Sequence, residues 1–294
     1  MTGPILAILA AIMFAGKAVL IRMAYAAAPI DATTLVALRM AFSLPLCLGV
    51  LCWQKDQTAL TRQDWLTMVW LGFIGYYIAS FLDFWGLEYI SSSLERILLF
   101  TYPTLVVLIS AALHKKPVRL REIIALLLTV TGTVVSFAND LRLTTSTTAL
   151  WKGTALVLGS SLFYAIFLIG SGRNVGRIGS LRFSALAISI ASGFVLAQFF
   201  ALRPAALLFA LPAKIYWLGI ALAWFSTGLP IFLTVEAIRR AGASRVSIAG
   251  SIGPVVTIGL AHIFLDEPIT LLQMAGAALV LGGVGLITAG SGDV

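Results

Sequence analysis

The sequence is short of charge. Of 294 residues only 11% are Asp, Glu, Lys or Arg, against the roughly 25% with which a water-facing domain covers itself. With 60% of the chain hydrophobic, a soluble globular reading is excluded and lipid is the natural solvent. Cysteine is scarce too. Cys47 and Cys52 lie in one apolar run, which excludes a disulfide framework and a thiolate metal centre and leaves both as packing residues. The two histidines, His114 and His262, are far apart, with no acidic metal cluster and no phosphate-binding loop. Gly170-Ser171-Gly172 lacks the strand–turn–helix setting of a dinucleotide site. Metal hydrolysis, nucleotide-driven pumping and cofactor chemistry therefore find no residues. The chain is read as a non-enzyme without cofactors.

What fills the chain is apolar runs, at about 5–26, 32–53, 64–86, 92–113, 120–138, 151–172, 181–202, 215–237, 244–265 and 270–289. Crossing a bilayer takes ~20 apolar residues as a helix, the conformation that pairs every backbone group within its own segment. The predicted fold is all-α and polytopic, with ten transmembrane helices and no room for a soluble domain. No basic residue precedes the first run and Lys17 and Arg22 sit inside it, so it reads as a retained helix and not a cleaved leader.

The net charge of +8 is a topology signal and not a nucleic-acid footprint. With a cytoplasmic N-terminus, the inner connections hold twelve basic residues, in groups at 55–62, 115–121, 173–182 and 239–245. The outer ones hold four, Arg142, Lys152, Arg203 and Lys214. That bias places both termini inside.

An internal repeat runs through these helices. A shift of 151 lays Tyr102-Pro103 on Gly253-Pro254, Lys116-Pro117 on Glu267-Pro268 and Gly132 on Gly283; a shift of 150 lays Phe14-Ala15 on Tyr164-Ala165. Helices 1–5 (residues 4–138) thus correspond to helices 6–10 (150–290). Five being odd, the second copy is inverted. The loops agree: His114-Lys115-Lys116-Pro117 has as its counterpart Leu265-Asp266-Glu267-Pro268, of opposite sign.

The pattern resembles the drug/metabolite transporter superfamily, in particular its ten-helix EamA-type exporters. The resemblance rests on a small-residue turn leading into a proline-bearing helix in each half, Ser91-Ser92-Ser93 to Pro103 and Gly242-Ala243-Ser244 to Pro254. The family's Gly-Glu connection is matched by Asp266-Glu267-Pro268 and replaced by Lys115-Lys116 in the first half. The resemblance covers essentially the whole chain. It implies export of small metabolites across the bacterial inner membrane, most like the exporters of aromatic and neutral amino acids, with drugs or organic cations as the alternative.

Ionisable groups within a bilayer cost several kcal/mol, from ~3 to above 10, and tend to face a wet cavity. Lys17 lies near mid-depth and Arg39 about seven residues into helix 2, with Arg22, Asp83, Glu88, Glu95 and Arg96 nearer the outer boundary. Arg22 and Arg96 are expected to snorkel to headgroups. Tyr76, Ser80 and Asp83 follow helical spacing on helix 3. The expected substrate site comprises Phe14, Lys17, Arg39, Tyr76, Ser80, Tyr102, Tyr164, Trp224 and Gly253. Lys17 is expected to take a substrate carboxylate, and a carboxylate or ring face its ammonium. Asp83 and Glu95 are candidates for proton coupling. Pro103, Gly250 and Pro254 are candidate hinges, since paired interruptions in inverted repeats point to the central site. Small residues at packing spacing, Ala7, Ala11 and Ala15 on helix 1 and Gly276 and Gly283 on helix 10, suit helix contacts within a monomer or across a homodimer. The expected partners are a small-molecule substrate and the bilayer, with no nucleic acid.

Overall fold

A computed structural model describes residues 2–54, 59–113, 115, 119–143, 145–241, 246 and 252–290. Ten helical segments account for most of them: α1 (Thr2–Ala27), α2 (Ala32–Trp53), α3 (Arg62–Gly86), α4 (Ser92–Leu113), α5 (Leu120–Leu143), α6 (Thr147–Ile178), α7 (Ser180–Leu202), α8 (residues 213–241), α9 (Gly253–Leu265) and α10 (Leu271–Gly290). A single turn, Ala206–Phe209, precedes α8. Eight of the ten are long and apolar enough to span a membrane, and α9 and α10 are shorter apolar helices. The ends of α5 and α6 overrun the sequence expectation. Arg142 and Lys152, expected in loops, are helical, as are Arg173 and Arg177.

Local signals set the helix starts. Asp31 caps α2 by accepting from Thr34 N. Thr61 and Asp64 form a capping box at the start of α3. Ser91 caps α4 and Ser146 caps α6. Each supplies a side-chain oxygen to an amide that has no intrahelical acceptor.

The halves interlock. α2 packs on α7 and α5 on α10, each pairing a helix with its own repeat counterpart. α1 packs on α8 as α3 does on α6, and α1 on α9 as α4 does on α6. Contacts thus recur in pairs, as a two-fold relation between five-helix units requires. Glycine permits the closest approach. A Cβ on Gly132 would lie 2.6 Å from Gly276 O, and one on Gly283 would lie 2.6 Å from Ala125 O. The small-residue face of α10 is therefore used against α5 within the chain. Ala7, Ala11 and Ala15 are buried likewise.

Two helices are interrupted by a π-helical stretch at matched places. In α3 it spans Phe73–Ile78, and Ala79 N donates to Ile74 O; in α8 it spans Trp224–Gly228, and Leu229 N donates to Trp224 O. The two bonds stand 150 residues apart, the spacing of the sequence repeat. Wide turns of this kind occur mostly at functional sites. The prolines act differently from the mid-helix kinks expected. α4 stops at Leu99 and resumes at Tyr102, so Pro103 lies in the first turn of the second segment; Pro254 lies in the first turn of α9. A ring there removes an amide that a first turn leaves unbonded in any case. Pro103 still deprives Leu99 O of its i+4 donor, and Ser161 Oγ supplies a replacement from α6 at 3.3 Å.

Candidate functional site

The charged side chains gather where α1, α2, α3 and α4 meet. Lys17 Nζ donates to Asp83 Oδ2 at 2.5 Å and sits 3.4 Å from Glu95 Oε1. Glu95 is fully buried and Asp83 is 2% exposed. The two carboxyl groups meet on the one ammonium of Lys17. Asp83 Oδ1 and both oxygens of Glu95 are buried without a hydrogen-bond partner. Neither group is a solvated loop-end charge.

Arg39 occupies the next position, from α2. Its Nε donates to Thr227 Oγ1 at 3.2 Å, in the π-helical stretch of α8, and a terminal nitrogen donates to Ser80 Oγ at 3.3 Å. Its guanidinium lies 5.3 Å from the Phe84 ring centroid. Asp83 is within electrostatic reach. Each π-helical stretch thus adjoins this cation, the first through Ser80 just beyond it and the second through Thr227 within it.

Arg96 corrects the sequence expectation. It does not snorkel: it is 8% exposed, with its guanidinium 5.0 Å from the Phe100 ring centroid. Facing inward, it is within electrostatic reach of Glu95, Asp83, Tyr102 and Tyr164. A snorkelling residue needs a free path to the interface, and α9 closes that path: a Cβ on Gly253 would lie 2.8 Å from Arg96 Nη2. Arg22 is held by Leu87 O at 3.2 Å, near the helix ends.

Aromatic rings continue the wall. Tyr102 meets Tyr164 edge-on at 5.1 Å, Tyr164 stacks on Phe167 at 5.9 Å, and Phe167 meets Tyr76 edge-on at 5.1 Å. Phe100 joins Tyr102 at 6.2 Å. Such offset and edge contacts are the favoured ring geometry. The wall requires Gly75, because a Cβ there would stand 2.3 Å from Phe167 Cγ. Phe14 is half-buried on α1, a turn from Lys17. Trp224 stands apart from this wall, 47% exposed at the start of the second π-helical stretch. Gly250 lies outside the described residues.

The two ends of the bundle differ around this centre. At the end where α2 and α4 begin, Glu88 accepts from Ala32 N at 2.8 Å, and Arg203 pairs with Asp31. Glu267, from the α9–α10 connection, accepts from Ser92 N at 2.9 Å, Ser93 N at 3.3 Å and Ser93 Oγ at 2.8 Å. A carboxylate at a helix N-terminus gains both the hydrogen bonds and the helix dipole. Beneath it lies a polar cavity of about 240 Å³ whose lining includes Arg22, Asp140, Glu267 and Gln273. Toward the opposite end, a narrow apolar cleft of about 20 Å³ lies between α2, α7 and α8. Cys47, Val50, Ser184, Thr227 and Phe232 are among its lining residues. Thr227 links that cleft to Arg39.

Of the residues named from the sequence, the structure brings Lys17, Arg39, Ser80, Asp83 and Glu95 into one neighbourhood. Sequence reasoning missed Phe167, Thr227 and Glu267. The first two look like ordinary packing residues. Glu267 had a signal, the acidic loop matched to Lys116, that was read only as topology.

The comparisons with known proteins agree with this architecture. The EamA-like transporter family profile matches residues 1–138 and again 151–289. The chain is 29% identical over 297 residues to "Uncharacterized transporter YcbK" of Bacillus subtilis (strain 168), covering 98% of this chain and 92% of that one. It is 26% identical over 247 residues to "Uncharacterized transporter YetK" of the same strain, covering 82% and 73%. A solved crystal structure superposes with a TM-score of 0.67 at 15% identity, over 97% of this chain and 96% of the other, which shows a shared fold. The chain belongs to the EamA-like transporter family.

Proposed function

We propose that this transporter exports small zwitterionic metabolites, aromatic and neutral amino acids foremost, by alternating access around the buried charge cluster. The observation that carries this reading is the Lys17–Asp83–Glu95 group, with three carboxylate oxygens unbonded, beside the Tyr102–Tyr164–Phe167–Tyr76 wall. Buried charges are costly, and open acceptors offer a site for an ammonium group. A ring wall suits an apolar side chain of similar size. The positive-inside bias supports cytoplasmic termini, and the family resemblance supports an inner-membrane setting. In that orientation the polar latch at Glu267 closes the outer end, and the narrow cleft between α2, α7 and α8 lies on the cytoplasmic side.

Movement between states is assigned to the paired interruptions. The π-helical stretches of α3 and α8, and the helix starts that carry Pro103 and Pro254, occupy equivalent places in the two five-helix units, 4–138 and 150–290. Because those units interlock, bending at these points disturbs fewer contacts than separating the units whole. Asp83 and Glu95, which meet on the Lys17 ammonium, are proposed to hold the coupling proton.

The open carboxylate oxygens also favour a second reading, export of organic cations, which would need no anion subsite. Uptake into sealed proteoliposomes, with labelled amino acids and organic cations and with or without a pH gradient, decides between them. Saturable flux of aromatic or neutral amino acids that responds to the pH gradient is the expected result. Flux of cations alone moves the assignment to cation export, and no flux across a broad panel overturns both.

A further inference from the structure

Three cations enter the buried cluster, and two of them are already engaged. Lys17 is taken by Asp83 and Glu95. Arg39 is held by Thr227 and Ser80. Arg96 differs: among the described residues none forms a hydrogen bond with its guanidinium, and its Nε is buried and unbonded. The flat of its guanidinium rests by Phe100 and its Nη2 edge faces Gly253. Native structures rarely leave buried donors unsatisfied, so an unbonded guanidinium in a transporter core calls for an acceptor that comes and goes. A carboxylate is the acceptor whose two oxygens match the guanidinium fork.

We propose that Arg96, and not Lys17, is the specificity-determining residue that receives the substrate's carboxylate, and that Gly253 keeps the space in which the guanidinium turns to meet it. The proposal rests on the amino-acid reading above and deepens it. Glu95, the preceding residue, pairs with Lys17 through Oε1 and offers its open Oε2 to the ammonium, so one short helical segment, Ser92–Leu99, presents both signs that a zwitterion needs. Lys17 then neutralises the carboxylate pair and contacts no substrate anion. Gly253 provides an independent handle. A methyl group there would press on Arg96 Nη2 at 2.8 Å and Phe100 Cζ at 3.2 Å, displacing a flexible side-chain end with little cost to the fold.

The experiment compares phenylalanine with phenethylamine, which keeps the ring and the ammonium but lacks the carboxylate. Competition for uptake is measured in proteoliposomes for the wild type, Arg96→Gln, Gly253→Ala and Lys17→Met, after thermal melting and gel filtration confirm that each is folded. The expected result is a wild-type preference for phenylalanine that falls by about tenfold or more in Arg96→Gln and in Gly253→Ala, with phenethylamine competition retained. Because Gly253→Ala keeps the charge, its loss of preference reports guanidinium position. Folded Arg96→Gln and Gly253→Ala proteins that discriminate as the wild type does would overturn the proposal. So would a preference abolished by Lys17→Met alone. If the wild type transports neither compound nor any other amino acid, the amino-acid reading itself falls, an outcome distinguishable from unaltered discrimination by a working transporter.

Discussion

The two halves share a fold but divide the chemistry. The first half supplies the charged side chains of the cluster, Lys17, Arg39, Asp83, Glu95 and Arg96. The second half answers with a hydroxyl at Thr227, rings at Tyr164 and Phe167, a bare backbone at Gly253 and one carboxylate at the far end, Glu267. The matched π-helical stretches show the same division. A Cβ added to Gly75 in the first would strike the root of the Phe167 ring, 2.3 Å from Cγ and 2.6 Å from Cβ, whereas one added to Gly228 in the second would strike the tip of Leu46, 2.1 Å from Cδ2. Duplicated architecture therefore fixes where the backbone is interrupted, and the side chains at those places are free to specialise, one half for charge and the other for shape.

The largest effect is expected where the charge balance of the first half is broken. Lys17→Met leaves two buried carboxylates with no ammonium between them, and removing one partner of a buried pair costs about 3–5 kcal/mol. The melting temperature in detergent should fall steeply, while membrane insertion survives. A melting temperature within experimental scatter of the wild type would show that the cluster is not the coherent ionic unit described. Next comes the contrast between the π-helical stretches. Gly75→Ala must displace the base of Phe167, an overpacking cost of about 1–3 kcal/mol, whereas Gly228→Ala requires only that Leu46 change rotamer. The comparison breaks if the second variant proves the more damaging in a thermal-shift assay.

Smaller effects are expected at the ends of the bundle. Glu267→Gln weakens the clamp on Ser92 and Ser93 by about 1 kcal/mol, the gap between a charged and a neutral hydrogen bond, and should raise the accessibility of that end to a membrane-impermeant thiol reagent at a cysteine placed at Ser91. Smallest is the pH response of the Asp31–Arg203 pair. Partial burial alone would raise the Asp31 carboxyl, but hydrogen bonds from Thr34 and the Arg203 guanidinium more than offset it, leaving it below the usual carboxylate range. A folded value below the unfolded one gives stability that is present above the unfolded value, about 3.9, and lost as pH falls through the folded one. Melting curves between pH 5 and pH 3 should show a slight loss that Asp31→Asn lacks.

Much of this was legible in the sequence, for reasons that the residues explain. Apolar runs of bilayer length dictate helices, and Lys17, Asp83 and Glu95 had to meet because charges in lipid need partners. The repeat was visible because Pro103 and Pro254, like Gly132 and Gly283, occupy positions that tolerate few substitutes. Gly132 and Gly283 lie in the close α5–α10 contact, and the two prolines each begin a helix. What escaped depended on tertiary packing. Nothing in Phe73–Ile78 or Trp224–Gly228 announces a π-helical turn, since both read as plain apolar helix. Arg96 looks like a boundary residue until α9 is placed across its exit. The Glu267 latch joins residues 174 and 175 positions apart, a separation that no local pattern encodes.

The most direct test of the account is flux through Glu95→Gln in sealed proteoliposomes, alongside the wild type and under an imposed pH gradient. If the first-half cluster is the substrate and proton site, the wild type moves aromatic or neutral amino acids in response to the gradient, and the variant, folded and inserted, loses both the flux and the response. Wild-type flux with an unchanged pH response in Glu95→Gln would contradict it and place the site elsewhere in the bundle.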